Sequence, residues 1–69
     1  MPRTARLIVG DRAPPIESQV IDYSAGGACL DVDLAVIARL PQRLELHYGA
    51  NRKKCRIVWT RGRRVGVCF

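Results

Sequence analysis

The 69 residues carry twelve Lys and Arg against six Asp and Glu, a net charge of +6, with 48% hydrophobic content. Such a chain makes one small domain, too apolar for disorder and able to bury only about 60% of its unfolded surface. No apolar run approaches the ~18 residues of a membrane helix, and no apolar stretch follows the basic start, so neither a membrane span nor a signal peptide is expected.

Residues 1–5 read as a flexible tail and residues 6–69 as a single folded domain. Arg6–Val9 is a short strand candidate, stopped by Gly10-Asp11. Pro14-Pro15 marks a loop, because two prolines remove two ladder donors and fix φ. Glu17–Tyr23 reads as a second strand. Its faces stay ambiguous, since Val20 and Ile21 are neighbours and point opposite ways.

A polar bend follows, Asp22-Tyr23-Ser24-Ala25-Gly26-Gly27. Asp and Ser side chains bond nearby backbone N–H groups and hold a turn shut. The paired glycines can enter φ > 0 or let another group approach closely. Spare N–H groups on such a bend form a small anion-binding concavity.

Beyond the bend, Ala28, Leu30 and Val32 alternate with Cys29, Asp31 and Asp33, giving a third strand with one wet face. Leu34–Leu40 is too short for an independent helix and reads as a helical turn or extended crossover that lids one end. Arg43–Tyr48 alternates again, with Leu44, Leu46 and Tyr48 inward. Gly49-Ala50-Asn51 turns the chain, and Lys53–Thr60 places Cys55, Ile57 and Trp59 on one inward face. Arg61-Gly62-Arg63 is a hairpin tip, and Arg64–Phe69 returns with Val65, Val67 and Phe69 inward. Short strands separated by turns about every ten residues predict an all-β fold, a small six-stranded antiparallel barrel with a helical turn or crossover near residues 34–40. Phe69 ends the last strand and must be pinned by neighbours if that strand is not to fray.

Catalytic chemistry is not expected. His47, the single histidine, has no serine or cysteine at a motif spacing. Asp31 and Asp33 read as solvated strand-end charges, and no phosphate-binding G-x-x-x-x-G-K-[ST] occurs. Cys29, Cys55 and Cys68 lack any paired ligand spacing, so no metal site is expected and each reads as a small buried hydrophobe. Unpaired cysteines fit a reducing cytoplasm.

Asp22-x-Ser24-x-x-Gly27 resembles the D-x-S-x-x-G signature of PilZ domains, small bacterial β-barrels known as cyclic di-GMP receptors. Cys55-Arg56-Ile57-Val58-Trp59 and Arg64-Val65-Gly66-Val67-Cys68-Phe69 look like that family's penultimate and closing strands, in the same order. The resemblance implies a signalling receptor whose ligand-binding residues are Asp22, Ser24, Gly26 and Gly27. Asp22 would accept from guanine N–H groups, Ser24 would add a hydroxyl contact, and Gly27 would permit close approach. The family also carries R-x-x-x-R before its first strand. Here Arg3 and Arg6 are spaced R-x-x-R, so they enter as the altered counterpart on a flexible arm. No cofactor is implied beyond that ligand.

Two other readings remain open. A degenerate PilZ-like adaptor would bind a protein partner through a sheet edge or through the basic hairpin Arg52–Arg64. That hairpin carries Arg52, Lys53, Lys54, Arg56, Arg61, Arg63 and Arg64 with no acid, which also fits a non-specific nucleic-acid binder. Nucleic acid is the less favoured partner here, because bases need exposed aromatics to stack on and Tyr48, Trp59 and Phe69 all read as inward. A plainly solvated hairpin accounts for the charge as well.

Overall fold

Apolar residues alternate along most of the chain, and that alternation decides which face of each segment turns inward. The structure, a computed structural model, describes residues 3–69. Its strands are β1 (Thr4–Ile8), β2 (Ile16–Tyr23), β3 (Gly27–Asp31), β4 (Arg43–Tyr48), β5 (Asn51–Arg61) and β6 (Arg64–Cys68), with one helical turn, α1 (Leu34–Ile37). The six strands close into an antiparallel barrel in the order β1-β2-β3-β6-β5-β4. The expected fold class is therefore the one observed.

The core takes residues from every strand: Ala5 and Leu7, Val20, Leu30, Leu44 and Leu46, Cys55, Val65 and Val67, with Val32 just past β3. Ser18 is the one buried polar side chain among the described residues, and its hydroxyl donates to the Ala5 carbonyl across the β1–β2 pair. Pairing begins at Thr4, so the Thr4–Ala5 part of the expected tail is strand, and Ala5 lies in the core. Met1 and Pro2 lie outside the described residues.

Two hairpins are tight for one reason. Tyr48 pairs with Asn51 and Arg61 with Arg64, leaving the two-residue loops Gly49-Ala50 and Gly62-Arg63. Gly49 has φ 61° and Gly62 φ 58°, while Ala50 and Arg63 avoid positive φ. Positive φ confined to the first loop residue is the type II′ pattern, whose twist matches that of the flanking strands.

Between β3 and β4, Asp33 caps α1 by accepting from the Ala35 N–H at 2.9 Å. Val36, Ile37 and Leu40 then pack against the core, so this segment lids the barrel as expected. Asp31 pairs with Arg63 at 3.1 Å. Both aspartates therefore have structural partners and are not merely solvated strand-end charges.

Two β-bulges complete the barrel. One lies between Val20 and Asp22 on β2, the other between Ile57 and Trp59 on β5. The first resolves the Val20–Ile21 ambiguity, with Val20 inward and Ile21 outward. The second overturns the inward reading of Trp59. An extra residue between Ile57 and Trp59 reverses the alternation, and Trp59 emerges 46% exposed on the outer surface.

Candidate functional site

Both bulges flank the same cross-strand pair, Cys29 with Gly66. Asp22 pairs with Cys29 from β2, and Trp59 pairs with Gly66 from β5. The four residues thus form one outer-face row across β2, β3, β6 and β5. A bulged strand sets two residues against one on its neighbour, so Ile21 and Val58 join the row at its ends. Both are exposed. The indole of Trp59 lies over the bare backbone of Gly66, so closely that a Cβ at Gly66 would collide with it.

The polar bend lies at one end of this row. Asp22 is exposed, and its Oδ1 accepts from the Tyr23 N–H at 2.9 Å. Ser24 uses its backbone N–H and its hydroxyl on the same acceptor, the Gly27 carbonyl, at 2.9 and 3.3 Å. Those bonds close the turn and leave the second Asp22 oxygen and the lone pairs of the Ser24 hydroxyl for an outside donor.

Of the two roles read for the paired glycines, the structure shows close approach, at Gly27. Neither Gly26 nor Gly27 has positive φ. Gly27 is required because a Cβ there would drive into the Val67 carbonyl of β6. The close neighbour it admits is the protein's own backbone. Gly26 is exposed with open space around it, and its carbonyl accepts from the Phe69 N–H at 3.1 Å. Phe69 is pinned a second time by Tyr23, with ring centroids 5.3 Å apart.

Of the two arginines, Arg3 is brought to the bend's end of the barrel. Its carbonyl accepts from the Val20 N–H at 2.7 Å, its Nε donates to the Tyr48 hydroxyl, and its guanidinium lies 5.4 Å from that ring's centroid. Tyr48 in turn meets Tyr23 at 5.0 Å. Arg3, Tyr48, Tyr23 and Phe69 therefore form a continuous ladder, with the bend beginning one residue from Tyr23. Sequence reading missed this ladder, because four residues from four parts of the chain have no shared spacing.

Arg6 is not brought to the bend. It lies on the outer face of β1 between Glu17 and His47. Along the strand direction that position is displaced from Asp22 by about four residues, roughly 13 Å at ~3.3 Å per residue. His47 bonds to Glu45, Nε2 to Oε1, at 2.5 Å. That hydrogen bond holds the Glu45 carboxyl below its ordinary value of 4.5, against partial burial, with help from the charges of His47, Lys54 and Arg52.

The cysteines divide. Cys55 is buried, and burial, then the Glu45 charge, pushes its thiol up to about 11. Cys29 and Cys68 are only half-buried, which corrects the fully buried reading for those two. Among the described residues no group of three or more His, Cys, Asp or Glu gathers at metal-binding distance.

No family model matches the chain, and comparisons with curated proteins and with solved structures found no match.

Proposed function

We propose that this barrel is a PilZ-like receptor module of the cyclic di-GMP class, with the Asp22–Gly27 bend and Arg3 as two sides of the ligand's seat. The observation that carries the reading is the position of Arg3, held on the Tyr48–Tyr23 ladder beside an exposed bend whose carboxylate faces out. Asp22 takes guanine N–H groups on its second oxygen, and the Ser24 hydroxyl accepts a further hydrogen bond. Open space at Gly26 lets a flat base approach the backbone. Arg3 spends one N–H on Tyr48 and keeps its remaining donors for a phosphate oxygen or a guanine edge.

Arg6 contributes nothing to this seat. Losing one bidentate arginine-to-base contact costs about 1–3 kcal/mol, roughly ten- to a hundredfold in affinity. The module is accordingly a weak receptor. Ligand shifts the chain before β1 only to the extent that it binds the docked form more tightly than the undocked one.

Calorimetry with cyclic di-GMP tests the reading. Heat should appear in the micromolar range, vanish in Asp22→Ala and weaken in Arg3→Ala. An absence of heat at high micromolar ligand removes the receptor reading and leaves the adaptor. Since closure gives every strand two neighbours, an adaptor would meet its protein partner through the basic hairpin rather than a sheet edge.

A further inference from the structure

We propose that the outer face of β5 and its neighbours is a binding surface for single-stranded nucleic acid, with Trp59 as the base-stacking platform. It makes no use of the Asp22–Gly27 bend and stands apart from the dinucleotide reading.

The first observation is Trp59 itself. A large aromatic turned outward by a bulge and packed against the bare backbone of a glycine keeps about half of its surface open to solvent. Bases of any identity stack on such a ring, because each has a π-face.

The second is what surrounds the ring. Strand register sets Arg43 directly opposite Arg56 on one side of Trp59, and Arg61 directly opposite Arg64 on the other. Like charges placed directly across a sheet oppose each other and destabilise it. All four arginines are exposed, and among the described residues none has a carboxylate within salt-bridge distance. The nearest acid in register is Asp31, which faces Arg64 from β3 and is bonded to Arg63. Two arginine pairs that make no ion pair of their own, bracketing an exposed tryptophan, match a polyanion that carries flat rings. Along β5 the cationic edge is interrupted at Lys54, which Glu45 faces from β4. Where β6 ends, Arg43, Lys54 and Arg56 join Cys68 and Phe69 around a depression of about 270 Å³.

The third is spacing. Alternate residues on one strand face lie about 7 Å apart, a repeat that lets successive cations follow the phosphates of an extended strand. The type II′ turn at Gly62-Arg63 holds Arg61 and Arg64 side by side at the end of that rail.

The chain has a single tryptophan, so its fluorescence reports this surface alone. The full chain is titrated at low salt with oligo-dT and oligo-U of twelve nucleotides, and in parallel with inorganic polyphosphate and poly-glutamate. Both oligonucleotides should quench Trp59. With four arginines engaged, the slope of log affinity on log salt should be about −3. Measured by calorimetry, since these variants have no tryptophan, Trp59→Ala should weaken oligonucleotide binding about ten- to a hundredfold and leave polyphosphate binding unchanged, with Trp59→Phe in between. Arg56→Ser with Arg61→Ser should flatten the slope by about 1.4 while the fold, followed by circular dichroism, stays intact. Asp22→Ala should bind oligonucleotide as well as the parent chain. The proposal is overturned by an absence of quenching at low salt, by Trp59→Ala lowering polyphosphate and oligonucleotide binding equally, or by poly-glutamate binding more tightly than either oligonucleotide. That last result would assign the face to an acidic protein.

Discussion

Replacing Gly27 by alanine separates a structural glycine from a ligand-facing one. A Cβ at this position would run into the Val67 carbonyl, a backbone atom of the adjacent strand rather than the tip of a movable side chain. Either β3 or β6 must give way, and the Gly27–Cys68 and Ala28–Val67 pairs lie at that spot. Forcing an extra carbon into a packed site typically costs about 1–3 kcal/mol. A domain of this size is stable by about 3–10 kcal/mol, so the change removes a large share. At about 4–8 °C per kcal/mol, the melting temperature should fall by about 4–24 °C. Gly26→Ala is the control. It has open space and no positive φ, so the added methyl meets nothing and should stabilise by about 0.4–1 kcal/mol through the unfolded chain. Thermal unfolding followed by circular dichroism measures both. Equal melting temperatures for Gly27→Ala and the parent chain would refute the assignment of Gly27 to strand packing.

Three further outcomes follow from the same geometry. Asp33→Ala removes the cap on α1 and should cost about 1 kcal/mol, read as a lower urea midpoint with an unchanged slope; no change would show the cap to be idle. Glu45, its folded pKa depressed, adds stability that is present above about pH 4.5 and is lost as pH falls through the folded value. Its carboxyl resonance should therefore titrate below 4.5 in the parent and move up in His47→Ala, and identical midpoints would remove the hydrogen bond from the account. Iodoacetamide at pH 8 should modify Cys29 and Cys68 well before Cys55, whose thiol is buried and stays protonated up to about 11; labelling of Cys55 first would contradict its place in the core.

Most of the barrel was legible because its signals are local. The alternation of Leu44 with Leu46 and of Val65 with Val67 names the inward faces, and Gly49 and Gly62 sit where tight hairpins need positive φ. The bulges were not legible, and each changed the site. A one-residue insertion leaves the apolar count of a strand intact while reversing every face beyond it. Trp59 looked inward on a strict alternation from Cys55, and its outward turn depends on register with β6. Gly66 was the available clue, since a glycine inside a strand often marks a bulge or a close neighbour. The bend itself was read correctly as a turn, but the reason for Gly27 lies in Val67, forty residues away, and no local pattern reveals it. Arg3 and Arg6 look alike in sequence. Register alone sends Arg6 to the face of Glu17 and His47 and leaves Arg3 at the barrel end, against Tyr48.

The receptor reading rests on the Asp22–Gly27 corner as a place where a nucleotide sits, and amide chemical-shift mapping of a cyclic di-GMP titration tests that most directly. The account predicts shifts centred on Asp22, Ser24, Gly26 and Arg3, spreading through Tyr23 and Tyr48 and sparing Arg6, Glu17 and His47. Spectra unmoved at high micromolar ligand, or shifts confined to the β1–β4 face, would contradict it.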